Sequence, residues 1–153
     1  MTVALERPVG TTATAALIGS DLADRLAGRI VKDYPEIDPA TADRIINQTA
    51  AFLAAGARLP GQFLVPSPLV DIGWHTFILH TVDYADFCQR IAGRFIHHVP
   101  TDDEGDVPGT ISEARDRTIA AISAAGYWVD LPLWQITTTC TQCHAGCTDS
   151  PVS

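Results

Sequence analysis

Side chains that can bind a metal ion are concentrated in two stretches of this sequence. Residues 67–100 hold four of the five histidines, together with Asp71 and Cys88. The second stretch, residues 140–147, reads CTQCHAGC. Imidazole nitrogen, thiolate sulfur and carboxylate oxygen are the ligands that zinc takes in proteins. The two stretches therefore indicate a metal site or a thiol site.

Asp71 and His75 are the candidate catalytic pair. They are four residues apart in a predicted helix, so at about 100° per residue they share one face. Both side chains could bind one ion, or Asp71 could orient the imidazole of His75. A structural role is the alternative, because a carboxylate suits the first turns of a helix and a core histidine needs only one hydrogen bond.

His97 and His98 follow the predicted end of that helix. Side chains of adjacent residues diverge, so we expect at most one of the two to face inward. His98 joins His75 as a candidate metal ligand from this part of the chain.

The cysteine-rich segment predicts a metal site that needs a ligand from elsewhere. Two thiolates in C-x-x-C can bind one ion on a tight turn. Because His144 is next to Cys143, the segment offers three ligands at once, and the helical part must supply a fourth. The predicted zinc ligands are therefore Cys140, Cys143, His144, Cys147, His75 and His98.

Three other interpretations of this segment stay open. C-x-x-C-H is also the attachment pattern of a c-type haem, so haem or another transition metal is an alternative to zinc. Cys140 and Cys143 could instead act in thiol–disulfide exchange. The segment could also be a tail with incidental cysteines.

Composition narrows the class of protein. The chain has 153 residues, of which 46% are hydrophobic and 18% charged, which is typical of a single globular domain. Its net charge of −8 argues against binding to nucleic acid or an anionic membrane surface. The first residues lack the basic region and the long apolar run of a secretory signal. We therefore expect a cytoplasmic protein with reduced thiols.

Hydrophobic spacing and capping residues predict a mainly α protein, a small irregular bundle of about four helices with a cysteine-rich C-terminal tail. Asp38-Pro39 and Ser67-Pro68 are typical helix starts. The helix from Ser67 is predicted to continue to Gly93, and residues 110–113 form a capping box before the last helix. Residues 127–134 are apolar enough to pack back on the helices. The predicted organisation is a disordered tail at 1–18, a helical domain at 19–136 and a Cys/His-rich tail at 137–153.

The central stretch resembles the glycine-rich domain-containing protein-like family. The resemblance covers residues 20–134 and is carried by Asp71, Trp74, His75, Leu79, Tyr84, Cys88, Gly93 and residues 95–98. Members have a Trp-His-x-His-x-Leu segment, and Phe77 replaces its second histidine here, so any ligand pair from that histidine is absent. The resemblance implies a helical domain and no named activity.

Two functions follow from these observations. The first is a small metal-binding protein, with zinc held by the tail and a histidine of the helical domain, that could be a metalloenzyme acting on a small molecule. The second is a non-catalytic protein-interaction module with a thiol-redox or metal-stapled tail, in which residues 127–134 form part of the interface.

Overall fold

The computed structural model describes residues 14–99 and 110–135, and these fold into a helical bundle. Its helices are α1 (Ala15–Ile18), α2 (Ser20–Asp33), α3 (Pro39–Arg58), α4 (Pro68–Leu79), α5 (Thr81–Ala92), α6 (Ile111–Ala124) and α7 (Leu131–Trp134). The described residues contain no strand, which confirms the mainly α prediction. Within the same residues, no helix combines the length and the apolar character that crossing a membrane requires.

Helix α3 is the central element, and α1, α2, α4, α5 and α6 all pack against it. Its middle carries the small side chains Ala50, Ala51, Ala54 and Ala55, which are all buried. Small residues let neighbouring helices approach closely from several sides. Larger side chains from the surrounding helices, including Leu26, Ile30, Phe77 and Trp134, complete the core.

The predicted helix starts are confirmed. The Asp38 side chain accepts a hydrogen bond from the Thr41 N–H at 2.6 Å, with Pro39 at the first helical position. Ser67 caps α4 in the same way, through the Val70 N–H. Thr110 and Glu113 form the predicted capping box of α6, and Gly93 ends α5 in the left-handed conformation with φ of 67°.

One prediction is wrong: the helix that starts at Pro68 does not continue to Gly93 but breaks at His80. The His80 ring Nδ1 lies 2.9 Å from the Thr76 carbonyl, which the backbone N–H of His80 would bond in a continuous helix. That N–H bonds the Phe77 carbonyl instead, and the backbone of His80 leaves the helical region at φ −87° and ψ 67°. The imidazole thus competes with its own backbone and separates α4 from α5.

The two ends of the described chain also pack on the bundle. Residues 14–18, which the sequence assigned to a disordered tail, include the single-turn helix α1, and the Thr14 hydroxyl donates to the Asn47 carbonyl at 2.9 Å. At the other end Tyr127, Leu133 and Trp134 are buried, as predicted for an apolar segment that packs back. The cysteine-rich tail lies outside the described residues.

Candidate metal centre

Helix α4 presents Asp71 and His75 on its outer face. Gly73 lies between them and faces α3, so closely that a Cβ atom there would clash with Thr49 and Ile45. Asp71 and His75 lie two positions before and two positions after Gly73, and they therefore point away from the core. The two side chains are one helical turn apart, with His75 Nδ1 3.5 Å from Asp71 Oδ2.

The third member of the site comes from residues 94–99, which follow α5. A hydrogen-bond relay fixes this segment against α4. The Trp74 indole N–H donates to the Tyr84 hydroxyl at 2.9 Å, and that hydroxyl donates to the Ile96 carbonyl at 2.5 Å. Burial raises the pKa of Tyr84, so its hydroxyl keeps the proton that it donates.

His98 is placed by this relay and by stacking. Its ring centroid lies 4.3 Å from the ring centroid of Trp74 and 4.3 Å from that of His75. His98 Nε2 is 2.7 Å from Asp71 Oδ1, and since a carboxylate only accepts, the imidazole N–H donates. The Asp71 carboxylate therefore lies between two imidazoles, one on each oxygen.

Asp71, His75 and His98 form a group that could hold a metal ion, which we call the triad. One ligand atom from each residue lies within 4.8 Å of the other two. The side chains of His98, Asp71 and His75 are 14%, 33% and 54% exposed, so the group is anchored on one side and open to solvent on the other. Two imidazoles and one carboxylate match the ligands of catalytic zinc sites and of non-haem iron sites.

The triad lies in the wall of a groove of about 800 Å³. The other walls are mainly apolar and come from the end of α3, the loop at residues 59–66, Trp74 and residues 94–99. Pro60, Pro66 and Pro68 restrict the backbone of the loop side. A metal ion at the triad would therefore face a cavity large enough for a small molecule.

The remaining candidates divide into three groups. His97 is exposed, lines the same groove, and its ring contacts Phe95 at a centroid distance of 4.9 Å, but it is not a member of the triad. Cys88 is a buried free cysteine, as expected for a core residue. Cys140, Cys143, His144 and Cys147 lie outside the described residues, so the structure does not test a ligand role for them.

Phe77 is the residue at which the sequence predicted the loss of a ligand histidine. It is fully buried and contacts the rings of Tyr84 and Phe87 at centroid distances of 5.1 and 5.0 Å. It therefore faces the core, away from His75. The triad is therefore formed without a side chain from this position.

Sequence reasoning found the three triad residues but not the relay that assembles them. Trp74 and Tyr84 are ten residues apart, and on one continuous helix they would not be placed to share a hydrogen bond. The signal that could have found the relay is the break at His80, which turns α5 so that Tyr84 faces Trp74.

Comparison with known families identifies the chain as a member of the UCP032817-like family, which it matches over residues 14–106, more than half of its length. The matched range contains α1 to α5 and all three triad residues, and it ends before α6. No curated protein and no solved structure matches the chain. The resemblance to the glycine-rich domain-containing proteins stays a prediction.

Proposed function

We propose that this protein binds a divalent transition-metal ion, zinc, at Asp71, His75 and His98. One observation carries the proposal: three ligand atoms from two separate elements of the chain lie within 4.8 Å of one another at the wall of a groove. A carboxylate between two imidazoles can exchange the protons of the imidazoles for a metal ion. The ligand atoms then need little movement, because α4 and the relay already hold them together.

Zinc is favoured over iron by the rest of the chain. The triad alone would suit either metal. The C-x-x-C-H-x-x-C segment adds soft thiolate ligands, which favour zinc in a cytosolic protein with reduced thiols. We propose that Cys140, Cys143, His144 or Cys147 supplies a fourth ligand, as in structural zinc sites.

A catalytic role would follow if the fourth position stays open. Zinc with three protein ligands binds water and lowers its pKa to about 7, which produces a nucleophile at neutral pH. The groove would then hold a small substrate beside this water. In this form of the proposal the protein is a metalloenzyme acting on a small molecule.

The alternative function is a non-catalytic interaction module, and one surface favours it. Leu79 and Val82 lie on either side of the break at His80 and are 71% and 81% exposed. Large apolar side chains that are close together and exposed are typical of contact surfaces. Tyr127, Leu133 and Trp134, which the sequence suggested for such an interface, are buried in the core instead.

The metal content of the full-length protein, purified without an affinity tag, tests the main proposal. We expect about one equivalent of zinc, as a single site requires. His98→Ala and Asp71→Asn should each lose most of it. His97→Ala is the matched control, because this neighbouring histidine is not a member of the triad, and it should keep the wild-type content.

A second variant separates the triad from the tail. In the full chain, Cys140→Ser, Cys143→Ser and Cys147→Ser are combined. Partial loss of zinc affinity would support the tail as a fourth ligand, and unchanged affinity would leave the triad with an open position. If zinc is lost in the cysteine variant and kept in His98→Ala, the triad is not the metal site. If the wild type takes up no metal at all, the interaction module becomes the better account.

A further inference from the structure

Among the described residues that line the groove beside the triad, one is an arginine or lysine, and its charge has no partner in that part of the chain. Arg94 lines the groove at the start of the segment that carries His98. Within residues 14–99 and 110–135 it makes no hydrogen bond and no ion pair. Among the described residues that line the groove, Asp71 is the only acidic side chain, and it already accepts a hydrogen bond from His98 and lies 3.5 Å from His75. Among the described residues, Arg94 is therefore a groove cation without an acidic partner, in a chain whose net charge is −8.

A guanidinium selects for a planar anion. Its N–H groups form a fixed fork that matches a carboxylate through two parallel hydrogen bonds. One arginine neutralises one negative charge, so the groove favours a monoanion. Phosphate monoesters carry close to two negative charges, which is more than the Arg94 guanidinium alone can neutralise.

The rest of the groove favours an apolar ligand body. Phe52, Leu53, Leu64, Val65 and Trp74 form its walls. Burial of an apolar chain against such walls contributes about 0.8 kcal/mol for each CH₂ group that leaves water. The groove volume of about 800 Å³ is also within the range that small-molecule sites use.

The spacing of the polar groups sets the ligand's shape. Arg94 and His98 are four residues apart, with Ile96 between them, and all three line the groove. Four residues of chain span at most about 14 Å, so the two side chains start from backbone positions no farther apart than this. A ligand whose carboxylate binds Arg94 can therefore extend toward the triad with a linear body of up to about this length.

We propose that the groove binds a linear monocarboxylate with an apolar chain, such as a medium-chain fatty acid. Arg94 binds the carboxylate, and the chain lies along the apolar walls in the direction of the triad. This inference goes beyond the metal site, because the binding contacts do not require a metal ion.

Calorimetric titration of the full-length protein with decanoate, below its micelle concentration, tests the inference. Decanol and decylamine are the matched probes, since each has the same chain with a neutral or a cationic head. We expect decanoate to bind more tightly than both. Arg94→Gln should weaken decanoate by about five- to tenfold and leave decanol unchanged, because only the charged hydrogen bonds are lost. Lys32→Gln removes one positive charge outside the groove and should change neither.

The Asp71→Ala variant, treated with a chelator, separates this inference from the metal proposal. Decanoate should still bind it, within about threefold of the wild type, because Arg94 and the apolar walls remain. Loss of decanoate binding in Asp71→Ala, with normal binding in Arg94→Gln, would place the carboxylate on the metal and overturn the inference. Equal affinity of the wild type for decanoate and decanol, or no binding of either, would also overturn it.

Discussion

Two networks of polar side chains join distant parts of this chain. Only one of them is closed, in the sense that its carboxylate is fully buried and paired with a permanent cation. At the α3–α7 corner, made by Arg44, Gln48, Asp130 and Trp134, Arg44 binds both Asp130 oxygens at 2.7 and 2.8 Å. Gln48 accepts from the Asp130 N–H and from the Trp134 indole, and donates to the Trp128 carbonyl. The Asp130 side chain is fully buried.

The triad also has a carboxylate at its centre, but its partners differ. The partners of Asp71 are imidazoles, which can lose a proton and bind a metal, whereas the Arg44 guanidinium stays charged and cannot be a ligand. The triad is also partly exposed. The buried Asp130 carboxylate, paired with a permanent cation, serves the fold. The partly exposed Asp71 carboxylate, which faces two histidines, remains available for a ligand.

The largest expected effect of a substitution is at the closed network. Arg44→Met leaves the buried Asp130 charge without its partner, and we expect the free energy of unfolding to fall by about 3 kcal/mol in urea titrations. This is the lower end of the usual range, because the Arg44 side chain is itself 37% exposed. Zinc content should not change.

Arg29→Met is the control for that variant. Arg29 pairs with Asp33 at 2.7 Å on the surface of α2, and we expect a loss below about 1 kcal/mol. Equal losses in the two variants would show that the α3–α7 corner is no more than another surface ion pair.

A smaller effect is expected at the relay that connects the fold to the triad. Tyr84→Phe leaves the Trp74 N–H and the Ile96 carbonyl without their partner, which costs about 1–3 kcal/mol of stability. Since the relay positions His98, zinc affinity should also fall by about tenfold or more. Tyr127→Phe, at a buried tyrosine whose hydroxyl makes no hydrogen bond to the described residues, should change stability slightly and zinc affinity not at all. A Tyr84→Phe variant with unchanged zinc affinity would separate the relay from the site.

The smallest effect on stability is expected at the triad itself. In the metal-free protein, Asp71→Asn removes two partly exposed contacts, and we expect a change below about 1 kcal/mol in thermal or urea unfolding. Asp86→Asn is the control. It removes a carboxylate on α5 that accepts a hydrogen bond from Arg90, and it should give a similar change. A loss at Asp71 as large as that of Arg44→Met would assign Asp71 to the fold and end the contrast between the two networks.

Local sequence signals were sufficient for much of the fold. The caps at Asp38, Ser67 and Thr110 and the glycine stop at Gly93 depend on residues close together in the chain, and the structure contains all four. The break at His80 was missed because periodicity continues across it. A side chain that competes for a backbone carbonyl leaves no trace in hydrophobic spacing.

The site followed from sequence only in part. The spacing of Asp71 and His75 already placed them on one face of a helix. The choice of His98 over His97 required tertiary structure, since it depends on the Tyr84 hydroxyl bonding Ile96, which fixes which side of the segment faces α4. The Arg44–Asp130 pair, whose members are 86 positions apart, had no local signal at all.

The close contact at Gly73 also limits how this site can change during evolution. Because α4 lies against Thr49 and Ile45 with no room for a side chain, substitutions that shift the helix put folding at risk before they alter Asp71 or His75. The segment at residues 94–99 is held by the relay and by stacking, with exposed positions on both sides of His98. New ligand preferences are therefore expected to arise first in that segment, while α4 stays nearly constant among descendants.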